Sequence, residues 1–278
     1  MRRTWAVRSL MAIVVCGLLA PDATRAAVGD FVLLAETASS TVARIDATTN
    51  GLLARIDIGG RPLALAANLW KRWAYVAVAG SSNGLVAVKA DSLETAAVPG
   101  TEGRISAGGL ALSVDGQALL HTTLGADGIP SADDTLELLR LNDALWPPTG
   151  TVVTNLLTGA NPVDVKFSRS ERYALVAVKD APAILLVTAD TLVITNQATG
   201  LPATAQPAQV AMHPMTNVAY VVLGGGTSAV QIVNLSTRTF SNSVPVDWVP
   251  AAGPQAGAFS PNGDRFYVLC TAASNVVA

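Results

Sequence analysis

The chain has 278 residues, half of them apolar and 14% charged, with a formal net charge of −2. That balance excludes a disordered chain, which is polar and charge-rich, and the length is ample for one large β core. Aromatic residues make up only 5%, so Val, Ala, Leu and Ile must fill the interior.

The N-terminus reads as an export signal over residues 1–26 rather than as part of the fold. Arg2, Arg3 and Arg8 precede an apolar stretch from Leu10 to Ala20, which Pro21 breaks. Thr24-Arg25-Ala26 then offers small residues at the two positions a signal peptidase inspects, placing cleavage after Ala26 or Ala27. Eleven apolar residues fall short of the ~20 that a transmembrane helix needs. Expected location is therefore periplasmic or extracellular, with no transmembrane segment after cleavage. Losing residues 1–26 removes four arginines and one aspartate, which leaves 14 basic and 19 acidic side chains and a net charge of −5. Nucleic acid is excluded as a partner, because affinity for phosphates rests on Lys and Arg. Of the two cysteines only Cys270 remains, so no internal disulfide is expected.

Residues 28–278 are organised by a repeat. Segments opening at Pro62, Pro162, Pro207 and Pro254 each carry a polar residue six positions on, namely Asn68, Ser168, His213 and Ser260. Seven further on an apolar residue opens a Val-rich run: Tyr75, Leu175, Tyr220 and Tyr267. Ala107, Ser113 and Leu120 keep this spacing without the proline, and Phe31 extends it towards the N-terminus. The markers step by 44, 45, 55, 45 and 47 residues, and a second apolar run follows each one, starting at Val42, Val86, Leu136, Ile184, Val230 and Val276. Periods of this size mark stacked supersecondary units.

Each unit parses into four short strands. In the unit from Pro207 these lie near 209–212, 218–223, 230–234 and 238–244, separated by His213-Pro214-Met215-Thr216, Gly224-Gly225-Gly226 and Leu235-Ser236-Thr237. Ser260-Pro261-Asn262-Gly263 is a strong turn, since proline presets φ and Asn and Gly accept the angles that follow. Tyr75-Val76-Ala77-Val78-Ala79 and Ala174-Leu175-Val176-Ala177-Val178 are apolar at every position. A half-exposed strand would alternate, so these predict burial on both faces. Short connections predict antiparallel pairing. An all-β propeller of four-stranded antiparallel blades satisfies all of this.

The units also resemble a known family. Ala219-Tyr220-Val221-Val222, Phe266-Tyr267-Val268 and Thr41-Val42-Ala43-Arg44-Ile45-Asp46-Ala47-Thr48-Thr49 look like the YVTN repeat, in which a Tyr-Val strand is coupled to a later Val-Ile-Asp strand. Ile58-Gly59-Gly60-Arg61-Pro62 and Phe259-Ser260-Pro261-Asn262-Gly263 match its opening and its turn. The third unit lacks both the Tyr and the proline, and the fourth has Leu175 for Tyr. The resemblance implies an exported seven-bladed propeller, of which five to six blades are present here. The first unit begins at its second strand and the last stops in its third, so the ring is expected to be incomplete at the C-terminal end.

Catalytic chemistry is sparse. His121 and His213 with one mature Cys assemble no zinc or copper set, and no Cys-x-x-Cys-His permits covalent haem. No cofactor is expected. Asp115 and His121 share a unit, but no Gly-x-Ser-x-Gly elbow accompanies them. Gly224-Gly225-Gly226 precedes neither Lys nor a helix, so it reads as a hairpin turn rather than a phosphate cradle. Asn234-Leu235-Ser236 reads as hairpin chemistry. Asp127, Asp133 and Asp134, in the insertion that lengthens the third interval, are calcium candidates by donor type, with a solvated loop as the alternative. The resemblance implies ligand binding over the central channel, where Arg61, Asn161 and Gln206, each preceding its unit's proline, are rim candidates. Three functions follow: a non-enzymatic exported binding or scaffold module for a protein or small-molecule ligand; a lactonase-like or quinoprotein-like propeller enzyme; and a surface-layer or adhesion protein.

Overall fold

A computed structural model describes residues 13–16, 31–68, 71–80, 84–125, 127–198, 201–241, 243–246, 253–270 and 275–277. These hold strands and turns and no helix, so no helix is long and apolar enough to cross a membrane. The strands form six antiparallel sheets, one per repeat. The first contains β1 (Ile13–Cys16), β2 (Phe31–Glu36), β3 (Thr41–Asp46) and β4 (Leu52–Asp57). The second contains β5 (Arg61–Asn68), β6 (Trp73–Ala79), β7 (Leu85–Lys89) and β8 (Thr95–Ala97). The third contains β9 (Ile105–Leu112), β10 (Ala118–Leu124), β11 (Thr135–Asn142) and β12 (Thr149–Leu157), and the fourth β13 (Pro162–Phe167), β14 (Tyr173–Val178), β15 (Ala183–Thr188) and β16 (Ile194–Ala198). The fifth has β17 (Ala205–Met212), β18 (Val218–Gly225), β19 (Ala229–Asn234), β20 (Thr239–Phe240) and β21 (Val244–Pro245). The sixth has β22 (Pro254–Phe259), β23 (Phe266–Cys270) and β24 (Asn275–Val277). Every repeat marker lies in the second strand of its sheet.

Two compact units result. The first comprises residues 1–106 and 142–150, and the second residues 107–141 and 151–278. In the first unit, Phe31, Leu33, Val42 and Ile56 of the first sheet pack against Ala74, Val76, Val78 and Val88 of the second. In the second unit the fourth sheet is covered on both sides. Ala174, Val176, Val178, Leu185 and Val187 face Leu120, Leu136 and Leu138 of the third sheet. Their alternates Leu175, Ala177, Ile184 and Leu186 face Val210, Val221 and Leu223 of the fifth. Val222 and Val230 continue the stack against Val268 of the sixth. Ala174 through Val178 are all fully buried, as their unbroken apolar character predicts. Each buried Val or Leu contributes about 1.5–3 kcal/mol, so the stacked faces dominate stability.

Three details differ from the strand boundaries read from sequence. The first strands begin earlier and contain their prolines. In β5, β13, β17 and β22 a register shift follows Pro62, Pro162, Pro207 and Pro254 directly. Each of these strands is a sheet edge, where the missing proline N–H leaves no ladder bond unmade and an extra residue is accommodated as a bulge. The strand expected at 238–244 is split into β20 and β21, both pairing with β19. Ile13–Cys16, inside the expected signal segment, pairs antiparallel with Phe31–Leu34 as the first strand of the first sheet. An apolar β-branched run of this kind is chemically indistinguishable from a buried strand. The expected cleavage positions at Ala26 and Ala27 lie outside the described residues.

The polar position six residues after each proline, like Ser113 at the matching place in the third unit, proves to be a turn clamp. Asn68 Oδ1 accepts from Lys71 N (3.1 Å), Ser113 Oγ from Ala118 N (2.8 Å), Ser168 Oγ from Tyr173 N (3.2 Å) and Ser260 Oγ from Arg265 N (3.0 Å). His213 does the same through Nδ1, which accepts from Met215 N (3.0 Å) and Thr216 N (3.1 Å). A side-chain acceptor here satisfies N–H groups that the ladder cannot reach. Replacing the buried Ser168 by Ala removes one such bond, so S168A is expected to cost about 1 kcal/mol and lower Tm by about 2–4 °C. An unchanged melting curve would contradict the clamp.

Tyr75, fully buried in β6, has its phenol pKa pushed up to about 12, chiefly because burial disfavours the phenolate. The Trp73 indole opposes that shift, and the charge of Asp143 adds to it. The folded state therefore keeps its proton where the unfolded chain, titrating near 10, loses it. Stability is fully present below pH 10 and is lost as pH rises from 10 to about 12, by about 3 kcal/mol in all. Denaturant unfolding across this window should show Y75F losing less stability than the parent; equal losses would refute the assignment.

Candidate functional site

Polar chemistry in the second unit gathers where the β10–β11, β12–β13 and β14–β15 connections meet. Its hub is Asp134, fully buried. Its carboxylate accepts backbone N–H bonds from Gly125 (3.0 Å), Ser131 (3.2 Å) and Asn161 (2.6 Å). Its carbonyl accepts from Thr158 N (3.0 Å) and Thr158 Oγ1 (3.1 Å). Asn161 adopts φ 64°, in the left-handed region that Asn tolerates. Its Nδ2 donates to Asp180 Oδ2 at 2.8 Å, while its carbonyl accepts from Lys179 N at 2.9 Å. One aspartate and one asparagine thus clip three connections together.

The sequence candidates divide accordingly. Asn161 and Asp134, 27 residues apart, are brought into direct contact. Asp127 is exposed and accepts from Ile129 N (2.9 Å). Asp133 is exposed, accepts from Ser131 Oγ and lies over Gly125, where any Cβ would strike its carboxylate. Asp134 turns into its loop while the other two turn outward, and among the described residues no group of three or more His, Cys, Asp or Glu side chains is placed to hold a metal. Arg61 is exposed at the start of β5 in the first unit. Gln206 is exposed on β17 opposite Gly224, and no hydrogen bond joins it to Asn161.

A second polar line runs along the first strands of the fourth, fifth and sixth sheets. Asp164, buried, lies two residues after Pro162. Its Oδ2 accepts from Val210 N of the next sheet at 2.9 Å, and its Oδ1 from Val165 N (2.9 Å) and Lys166 Nζ (2.7 Å). Gln209, at the equivalent position after Pro207, accepts from Gly257 N of the following sheet at 2.5 Å. A side chain from one sheet therefore satisfies an edge N–H on its neighbour, the group such an edge otherwise exposes. Sequence reading missed both residues, although their shared offset from the proline was a usable signal.

His121 and Glu137 sit directly opposite each other in the β10–β11 ladder, at 0% and 1% exposure. Side chains so opposed share one face about 5 Å apart. Glu137 was also missed; a Glu inside Leu136-Glu137-Leu138-Leu139 is its only trace. Asp115 is occupied elsewhere. It sits in the β9–β10 turn and accepts from Ser113 Oγ (2.5 Å) and Gln117 N (2.9 Å). Those bonds, the serine's first, hold its carboxyl below the usual range. His213 is a turn clamp, its ring edge-on to Phe259 at 4.9 Å. No nucleophile, base and orienting acid stand in line among these groups. The bonds that Asp115 accepts from Gln117 N and His213 from Met215 N brace backbone.

No family model matches the chain, and no curated protein matches it. Solved structures do. Hydrazine synthase of Kuenenia stuttgartiensis matches with a TM-score of 0.71 at 16% identity, over 89% of this chain and 79% of that one. A candidate 6-phosphogluconolactonase from Bacteroides uniformis matches with a TM-score of 0.65 at 14% identity, over 89% and 79%. A chain of the mitotic checkpoint complex matches with a TM-score of 0.63 at 15% identity, over 87% and 68%. At such identities the likeness concerns fold alone, and the fold is the β-propeller expected from the repeat.

Proposed function

We propose that the protein is an exported, non-enzymatic β-propeller of the YVTN-repeat kind, serving as a binding or scaffold module at the cell envelope. One observation carries this reading. The carboxylates and histidine with the best-defined surroundings, Asp134, Asp164, Asp115 and His213, are committed to backbone N–H groups. A carboxylate that braces a loop is not poised to exchange a proton with a substrate. Arg2, Arg3 and Arg8 before the apolar stretch support export. Cleavage after Ala26 or Ala27 removes β1 and leaves β2 as the edge of the first sheet.

Expression of the full chain with fractionation and intact mass measurement tests the export half. The expected product is extracytoplasmic and begins at Ala27 or Val28; a cytoplasmic protein with residues 1–26 intact would refute it.

The lactonase-like alternative draws on the likeness to the Bacteroides uniformis protein and on the His121–Glu137 pair. Purified protein offered a panel of sugar lactones should hydrolyse none above the uncatalysed rate. Turnover that H121Q abolishes, with Tm preserved, would replace the non-enzymatic reading by the enzymatic one.

A further inference from the structure

We infer that the outer edge of β12 is a self-pairing surface, through which two copies of this chain join antiparallel about a two-fold axis. β12 ends the third sheet and spans nine residues, the longest strand described. Gly150 N is engaged by Pro99 O at 2.8 Å, so the open stretch is Thr151–Leu157. It contains neither a charge nor a proline, the two devices that ordinarily protect an edge. Thr151, Val153, Asn155 and Leu157 are exposed, with Val153 at 54% and Leu157 at 64%.

The other outer strands are charged or shorter, β24 having three residues. β4 carries Asp57 and Arg55, the latter paired with Glu36 at 2.9 Å. β8 has three residues, and β20 and β21 two each. β16 has five, with Asn196 Nδ2 donating to Arg238 O. Only β12 among them combines length with neutrality.

A second copy is the occupant the chemistry favours. A charged foreign strand would find no complementary charge along Thr151–Leu157, whereas a neutral edge meets its own image without repulsion. A two-fold centred on Thr154 sets Thr154 opposite itself, Val152 opposite Leu156 and Val153 opposite Asn155. The Thr–Thr opposition is among the favourable cross-strand pairs, and no like charges face each other. The contact is isologous, so it closes at two copies. Seven paired residues span about 24 Å, and such a contact buries less than the ~1,000 Å² of a stable interface. The expected dimer is accordingly weak, with a dissociation constant in the micromolar range.

Sedimentation velocity on the full chain from about 1 to about 500 µM tests this. The parent should shift from monomer to dimer with concentration. V153K and N155K, both changed at exposed positions, should stay monomeric, while V193K, on an exposed residue of the β15–β16 connection, should behave as the parent. Tm measurement checks that each variant is folded, and N155K carries the comparison should V153K not fold. Amide hydrogen exchange on the parent should show protection within 151–157 that grows with concentration. A parent monomeric throughout, a V153K that dimerises normally, a dimer without protection at 151–157, or a ladder of larger species would each overturn the proposal.

Discussion

Sheets covered on both faces are the constraint on which this molecule depends. Successive residues of β14 point to different neighbours, Val176 towards the third sheet and Leu175 towards the fifth. Neither side tolerates a polar group, and no sheet completes its core alone. Surface ion pairs such as Arg72–Asp91 at 2.6 Å add little beside this. Cohesion is therefore distributed along the stack, as in other repeat architectures whose units contact their neighbours.

Such stacking creates a problem at the sheet edges. The first strand of each sheet has one side without ladder partners, and buried N–H groups there are costly if unmet. The chain answers with a proline and a bulge, then with the Asp164 and Gln209 side chains that reach the next sheet. Asp134 and Asn161 answer the same problem where three connections meet. Of the polar residues a reader would nominate for chemistry, Asp134 and Asn161 are absorbed by this accounting. Among the described outer strands β12 alone is both longer than six residues and free of charge.

The repeat was legible because its spacing survives substitution. Tyr75, Leu120 and Leu175 differ in kind yet all fall in second strands, and Asn68, Ser113, Ser168, His213 and Ser260 clamp equivalent turns with three different side chains. The candidate site was less legible. Asp127, Asp133 and Asp134 look alike in sequence, but only Asp134 turns inward, since the partner that selects it, Asn161, arrives from another connection. The pairing of Glu137 with His121 depends on the β10–β11 register. A loop as long as residues 125–134 does not announce that register. β1 was unreadable for a different reason: Ile13-Val14-Val15-Cys16 suits an export signal and a β-strand equally.

By itself the sequence determined the strand-rich class, the number and order of units, the antiparallel pairing and the two-sided burial. Each of these follows from local alternation and from a period that needs no knowledge of distant contacts. Tertiary structure alone decided which acid braces a loop, which side chain spans from one sheet to the next, and which histidine faces which carboxylate. Those outcomes rest on strand register and on hydrogen bonds between residues 27 to 48 positions apart. Their geometry exists only once the sheets have stacked.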